Sequence, residues 1–333
     1  MTPAGRFDHY NDFGDKSTPQ IGVEWRPYAP LLLRAVYSRS FRAPDLIDLY
    51  ATTFTTNHLA VTDPLRGNTA EVVTATSGGN PRLKPETGSS RTIGLIYSPE
   101  TARNLRLAIT HWAIDESNWI QQLPAQVIVD NAALFPGAVT RAGNCSGGPP
   151  CPITSVTATY LNFGHLYVAG LDYQLALKDR TSVGTFSPSI TATQTYRYTT
   201  TLVPGLPAVN AVSAAQDSGN WAPRWKGVAA LEWQYDAWST NLAGRYVGSY
   251  QDYDSKSRIG DFWLFDFSAR CALGDVLAPE TNYWRNAYLR AGAVNLLNRQ
   301  PQFSNFESDL VGYDPAQADI RGRFLYVQVG TKW

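Results

Sequence analysis

Polar and apolar positions alternate along this chain in segments of about ten residues, and the pattern recurs from one end to the other. Residues 261–273 show it best: Trp263, Phe265, Phe267, Ala269, Cys271 and Leu273 share one face, and Asp266, Ser268 and Arg270 share the other. Successive side chains of a strand point to opposite sides, so a period of two marks a β-strand with one apolar and one polar face. In residues 225–235, Trp225, Ala229, Leu231, Trp233 and Tyr235 oppose Glu232 and Gln234; then Leu242, Tyr246 and Tyr250 oppose Asn241 and Arg245. Earlier, Tyr167, Ala169, Leu171, Tyr173, Leu175 and Leu177 oppose Asp172, Gln174 and Lys178. Near the start, Ile21, Val23 and Trp25 oppose Gln20, Glu24 and Arg26, and Leu31, Leu33, Ala35 and Tyr37 oppose Arg34 and Ser38. Residues 104–118 are apolar on both faces.

The pattern predicts about twelve strands, at 4–10, 18–27, 31–40, 89–98, 104–118, 160–178, 185–201, 224–235, 238–250, 261–273, 285–296 and 322–333. Connections alternate in length. Residues 28–30, 99–103, 179–184 and 236–237 read as tight turns; 41–88, 119–158, 202–222, 251–260 and 297–321 read as long loops. Short turns on one side and long loops on the other predict an all-β, antiparallel, up-and-down transmembrane β-barrel with its short turns periplasmic. A soluble β-sandwich would not segregate its loops in this way, and forty-residue loops are rare in compact soluble domains.

Composition fits strands and turns: charged residues are 17%, aromatics 12%, and one Met stands against 26 Gly and 21 Pro. No run of eighteen apolar residues exists, which excludes a transmembrane helix and leaves a barrel open. A formal net charge of zero, with no basic run, argues against a nucleic-acid partner. Met1–Arg6 lacks a basic segment followed by an apolar core, so no secretory signal is read there. Trp25, Tyr37, Tyr97, Trp233, Tyr235, Trp238, Tyr246 and Tyr250 lie near predicted strand ends, as interfacial girdles require. Cys145 and Cys151, in the stretch NCSGGPPC, read as a loop disulfide, and Cys271 as a small core hydrophobe.

Four segments resemble the C-terminal barrel of TonB-dependent receptors. Phe41-Arg42-Ala43-Pro44, in VYSRSFRAPDLIDLY, is similar to the family's passage from strand into an extracellular loop. Asn80-Pro81-Arg82-Leu83-Lys84-Pro85-Glu86 matches the family's Asn-Pro-x-Leu-Lys-Pro-Glu, the most specific of the four. Residues Val294–Pro301 resemble the end of the penultimate strand. GRFLYVQVGTKW, ending on Trp333, resembles the last strand that the barrel-assembly machinery recognises. The resemblance implies an outer-membrane location and a barrel of about twenty-two strands, of which this chain would supply roughly the C-terminal half. It also implies a plug, absent from residues 1–333, and TonB as partner in the intact protein. The implied function is energy-coupled uptake of a scarce ligand, such as a ferric siderophore, cobalamin or a glycan, for which this chain would be an incompetent fragment by itself. The rival reading is a free-standing barrel, a passive pore or adhesion scaffold, whose first strand would pair with its last.

No catalytic constellation is read. His9, His58, His111 and His165 lack metal-ligand spacing, Gly78-Gly79 and Gly147-Gly148 lack the strand-to-helix setting of a phosphate loop, and Ser40 and Ser89 lack a readable base. Neither an enzyme nor a bound cofactor or metal is expected. The polar faces place Glu24, Arg26, Arg34, Asp172, Glu232, Arg245, Asp266, Arg270 and Arg290 toward a wet lumen, facing a plug or ligand path, because charge toward lipid is costly. Ligand capture falls to long-loop residues such as Tyr50, Phe54, His58, Trp119, Phe135, Tyr253 and Phe306.

Overall fold

The computed structural model describes residues 1–11, 13–99, 104–216, 220–253, 256–277, 286–306 and 311–331. In chain order come β1 (Thr2–Tyr10), β2 (Gly14–Tyr28), β3 (Leu31–Arg42), α1 (Leu46–Tyr50), β4 (Phe54–Asp63), β5 (Thr69–Ser77), β6 (Glu86–Tyr97) and β7 (Leu105–Gln122). Next are α2 (Ala125–Asp130), β8 (Val139–Arg141), β9 (Ile153–Thr157), β10 (Tyr160–Leu177), β11 (Asp179–Thr181), β12 (Gly184–Thr201) and β13 (Val209–Asn210). The chain continues through β14 (Trp225–Tyr235), β15 (Trp238–Val247), β16 (Tyr250–Gln251), β17 (Arg258–Ile259), β18 (Phe262–Ala272), α3 (Leu273–Leu277), β19 (Ala287–Val294) and β20 (Phe324–Thr331).

Twelve of these strands form one antiparallel meander, in the order β1-β2-β3-β6-β7-β10-β12-β14-β15-β18-β19-β20, with β11 and β13 pairing β12 beside it. Each predicted segment overlaps one strand of this wall. On the long-loop side β2, β3, β6 and β7 run up to four residues beyond the predicted limits, where the ladder continues although the apolar alternation has stopped. Leu273, predicted to extend the strand before it, instead begins α3.

Register turns the alternation of single strands into continuous bands. Trp25, Leu33, Leu95, Ile109, Tyr173, Ala192, Gly227, Tyr246 and Trp263 are successive cross-strand partners from β2 to β18. Leu231, Leu242, Phe267, Ala293 and Leu325 continue a parallel row to β20. The large apolar side chains of these rows face out: Trp25 is 62% exposed, Ile109 47% and Leu325 68%. A wall of exposed Trp, Ile, Leu and Val is stable against hydrocarbon, not water. A one-residue slip in any pair would exchange the two faces, so the bands fix the register.

The other face is polar, and it accommodates large rings by placing glycine opposite them. An ideal Cβ on Gly170 would lie 2.4 Å from the Trp112 ring, and one on Gly292 2.6 Å from the Tyr326 ring. β1 and β20 end the sheet; among the described residues they do not pair, so the wall is open and the closure that a free-standing barrel needs is not made.

The long connections are not plain loops. Those after β3 and β7 combine into a second sheet, β4-β5-β9-β8, whose β5–β9 contact is parallel. Its apolar side buries Val61, Val73, Ile128, Val129, Phe135 and Val156 together with Val203. Cys145 and Cys151 form a disulfide beside it, with Cα atoms 5.6 Å apart. Cys271 is a buried free thiol in β18. Tyr250, assigned above to an interfacial girdle, is 1% exposed and packs on Trp221 with ring centroids 4.7 Å apart. The alternation that carried the girdle reading across it ends at Val247, where the chain leaves the wall.

Gly170→Val is expected to destabilise the wall by about 1–3 kcal/mol, because the Trp112 ring must leave its position. Gly5→Val, whose Cβ meets nothing within 4 Å, serves as control. Loss of heat-modifiable mobility on gels at lower temperature for the first variant only is the expected readout.

Candidate functional site

The two sequence motifs after β3 and before β6 meet at the long-loop rim. Arg42 donates from Nε and Nη2 to the Glu86 carboxylate at 2.6 and 2.8 Å, and the Ile120 amide donates to the same carboxylate at 2.7 Å. Glu86 is buried while Arg42 is half exposed, so the acid is held by two strands and a charge. Asn80 donates from Nδ2 to the Tyr160 carbonyl (2.8 Å) and accepts from the Arg82 amide (3.0 Å). Asn162 bridges the Lys84 backbone, accepting its N–H and donating to its C=O, each at 2.7 Å. Leu83 is buried with Leu49 and Ile120; Pro44 and Pro85 are buried as well, while Pro81 is exposed. Phe41 meets Tyr10 edge to face at 5.7 Å, and Ala43 joins it to Pro44. This cluster fixes where the loops leave the wall; its chemistry is anchoring.

The predicted inward charges all lie on the face opposite the apolar bands. Glu24 and Arg34 are cross-strand partners, and their row continues through Gly94, Thr110, Asp172, Thr193 and Lys226. Asp172 accepts from Thr193 Oγ1 at 2.7 Å. Arg245 and Asp266 form a two-bond ion pair at 2.8 and 3.1 Å, and Asp266 also accepts from the Asn295 amide. Arg270 faces Arg290 across β18 and β19; their guanidinium groups lie 4.4 Å from the Tyr288 ring and 5.8 Å from the Tyr326 ring. Glu232 stands apart, accepting from Gln234 at 2.6 Å, and Arg26 donates to the Ala29 carbonyl at the short turn.

Asp172, Gln174, Thr193, Lys226 and Arg245 line an open cavity of about 500 Å³ with Val247, Phe262 and Leu264. An amphipathic recess with charges of both signs suits a polar solute or a polar protein surface. Lys226 was missed from sequence because Gly227 interrupts the apolar row that would have assigned its face.

The predicted capture residues are scattered. Tyr50 and Phe54 are exposed, Phe135 is buried in the second sheet's core, and His58 sits at a bulge with φ 62°. The Trp119 ring lies over Gly164. Tyr253 packs between Trp221 and Phe306. Trp333 lies outside the described residues.

Asp63 and Asp314 are among the buried acids that order the loops, and neither was singled out from sequence. Asp63 accepts from Arg141 at 2.5 and 2.9 Å and from the Leu65 amide; the Arg141 guanidinium holds its carboxyl below the ordinary aspartate value of 3.8. Asp314 accepts from Tyr250 Oη at 3.0 Å and from the Ala316 amide; burial raises its carboxyl above 3.8 despite these donors. Burial beside Asp314 also pushes the Tyr253 hydroxyl up to about 12.

A family model described as "TonB dependent receptor-like, beta-barrel" matches residues 1–296. Among solved structures, a mutant ferric enterobactin receptor from Pseudomonas aeruginosa aligns with 98% of this chain and 42% of its own, at TM-score 0.68 and 19% identity. The siderophore receptor PirA from Acinetobacter baumannii aligns with 98% and 42% at TM-score 0.63 and 14% identity. A Serratia marcescens hemophore receptor, HasR, aligns with 95% and 39% at TM-score 0.53 and 18% identity. At such identities the likeness is one of fold, and this chain spans about two fifths of those receptors. No curated protein matches.

Arg42→Ala leaves the buried Glu86 carboxylate without its cation. The expected cost is about 1–3 kcal/mol, toward the low end because Arg42 is half exposed. Faster limited proteolysis within residues 43–85 reads it. The two loop clusters should answer pH oppositely. The lowered Asp63 value stabilises its cluster above pH 3.8, and that contribution is lost as pH falls through the lowered value. Asp314 is raised, so its cluster is most stable below 3.8 and loses stability as pH rises toward the raised value. Hydrogen exchange corrected for intrinsic rates should show residues 54–77 loosening in acid while residues 311–317 tighten; Asp314→Asn should abolish the second trend.

Proposed function

The chain belongs to the TonB-dependent receptor β-barrel family, and from that premise we propose that it forms the C-terminal portion of an outer-membrane receptor wall for energy-coupled uptake of an iron-carrying ligand. One observation carries the reading: a twelve-strand meander, apolar outside and polar inside, whose two ends are unpaired among the described residues. In hydrocarbon each unpaired backbone group costs several kcal/mol, so β1 and β20 require neighbouring strands. Further strands from the intact protein satisfy both edges, consistent with the share of the receptors' length that this chain spans. The rival free-standing pore would need β1 to pair with β20.

In this proposal the β4-β5-β9-β8 sheet and the Asp314 cluster face outside the cell, and the barrel-assembly machinery inserts the wall into the lipid bilayer. The row from Glu24 to Lys226 and the Arg245–Asp266 pair face a plug whose movement is driven by TonB. The solved receptors are named for ferric enterobactin, a siderophore and a hemophore carrying haem, which favours a ferric siderophore or haem over cobalamin or a glycan.

Uptake of radio-iron presented as siderophore or haem complexes, by iron-starved cells with and without the intact protein, tests the proposal. Uptake should require both the protein and TonB, and Asp172→Leu with Arg245→Leu should lower transport several-fold without lowering the amount of protein in the outer membrane. Uptake that persists without TonB would sink the energy-coupled reading.

A further inference from the structure

Two opposite charges on the inner face lack a counter-charge, and both border the recess of about 500 Å³. Asp172, Thr193 and Lys226 are successive cross-strand partners on β10, β12 and β14. The acid and the base therefore stand two strand spacings apart, about 10 Å at their Cα atoms. Asp172 accepts from Thr193 Oγ1, but neither it nor Lys226 makes an ion pair among the described residues. Asp314 acts on Lys226 only at longer range than an ion pair, and is itself held by Tyr250 and the Ala316 amide. Arg245 is a diagonal neighbour of Lys226, roughly 7 Å away at Cα, because Val247 is the direct partner of Lys226. Its Nε and Nη2 are used on Asp266, which leaves Nη1 toward the recess.

A third polar group completes the lining. Gln317, from the connection between β19 and β20, reaches the recess from the long-loop side, and its Oε1 is buried with no hydrogen-bond partner among the described residues. A buried acceptor without a donor is costly, so this oxygen calls for an N–H or O–H. The remainder of the lining includes Val228, Val247, Phe262 and Leu264, and the volume lies within the range of small-ligand sites. The charges select among occupants. A bare anion satisfies Lys226 and meets Asp172 as a like charge; a bare cation does the reverse; a neutral solute leaves both unpaired. A solute with one charge of each sign answers both. With a hydrogen bond of about 3 Å at each end, roughly 4 Å remains between the solute's own charges, and the flexible lysine stem adjusts that span. Amino acids and dipeptides have termini at this separation, and their N–H groups supply the donor that Gln317 Oε1 lacks.

We propose that this recess binds a zwitterion, an α-amino acid or dipeptide with free termini and an apolar side chain. The carboxylate sits on Lys226 and Arg245 Nη1, the ammonium on Asp172, an N–H on Gln317 Oε1, and the side chain against Val228 and Leu264. The site rests on the lumen-facing reading of this wall given above and depends neither on TonB nor on the iron-carrying ligand.

The test uses the intact protein carrying this chain, purified in non-ionic detergent, with equilibrium dialysis of radiolabelled alanyl-leucine, its N-acetyl form and its C-terminal amide. Wild-type protein should bind the free dipeptide about tenfold more tightly than either capped form. Lys226→Met should remove most of the discrimination against the amide and keep that against the acetylated peptide; Asp172→Asn should do the reverse. Glu232→Gln, on the same face but outside the recess, should change neither. Equal binding of the three peptides by wild type would overturn the site, and this comparison needs no variant to fold. Variants that weaken all three peptides alike, or that leave both preferences intact, would overturn it too. Dipeptide selectivity in a protein that takes up no iron would support the site and count against the transport reading alone.

Discussion

Inside hydrocarbon a backbone amide has nowhere to turn except another strand, and the rest of this structure follows from that constraint. Eleven successive antiparallel pairings satisfy the interior of the wall. Once backbone is spent on neighbours, side chains decide only which face meets lipid, and the period of two makes that decision for a whole strand at once. Trp263, Phe265 and Phe267 cannot face outward without sending Leu264 and Asp266 inward. Asp266 then finds Arg245 and the Asn295 amide on the inner side, so a lipid-facing requirement fixes an internal ion pair.

The same logic explains why the wall was legible in the sequence and the loops were not. Each wall strand pairs with its successor in the meander, and its alternation is imposed by lipid on one side and water on the other. The alternation is a local signal, and it marks each strand even where the pairing partner lies across a long connection, as β6 does for β3 and β10 for β7. In the long connections the organising contacts are distant: Asp63 meets Arg141, and β5 meets β9, across about eighty residues. Phe54–Asp63 is also broken by a bulge between Thr56 and Leu59, where His58 takes a positive φ, so its alternation is lost in the residue order. Tyr250 shows the opposite error: its spacing continued a strand pattern, but the chain had already turned into the Trp221 cluster.

Of the site, the inward charges were readable from parity alone, and the motif residues from their resemblance to a family. What neither signal disclosed is how they act. Arg42 and Glu86, forty-four residues apart, become one anchor with Ile120, so the motif's value lies in holding loops to the wall. Lys226 stayed hidden behind the glycine that follows it.

The account's central claim is that consecutive residues of a wall strand alternate between lipid and water. In the intact protein with Cys271 replaced, single cysteines at each position from 263 to 269 can be spin-labelled and their relaxation by oxygen and by a water-soluble nickel chelate compared in bilayers. Oxygen access should peak at 263, 265, 267 and 269, with nickel access peaking at 264, 266 and 268. A smooth profile, or one repeating every three to four residues, would contradict the wall.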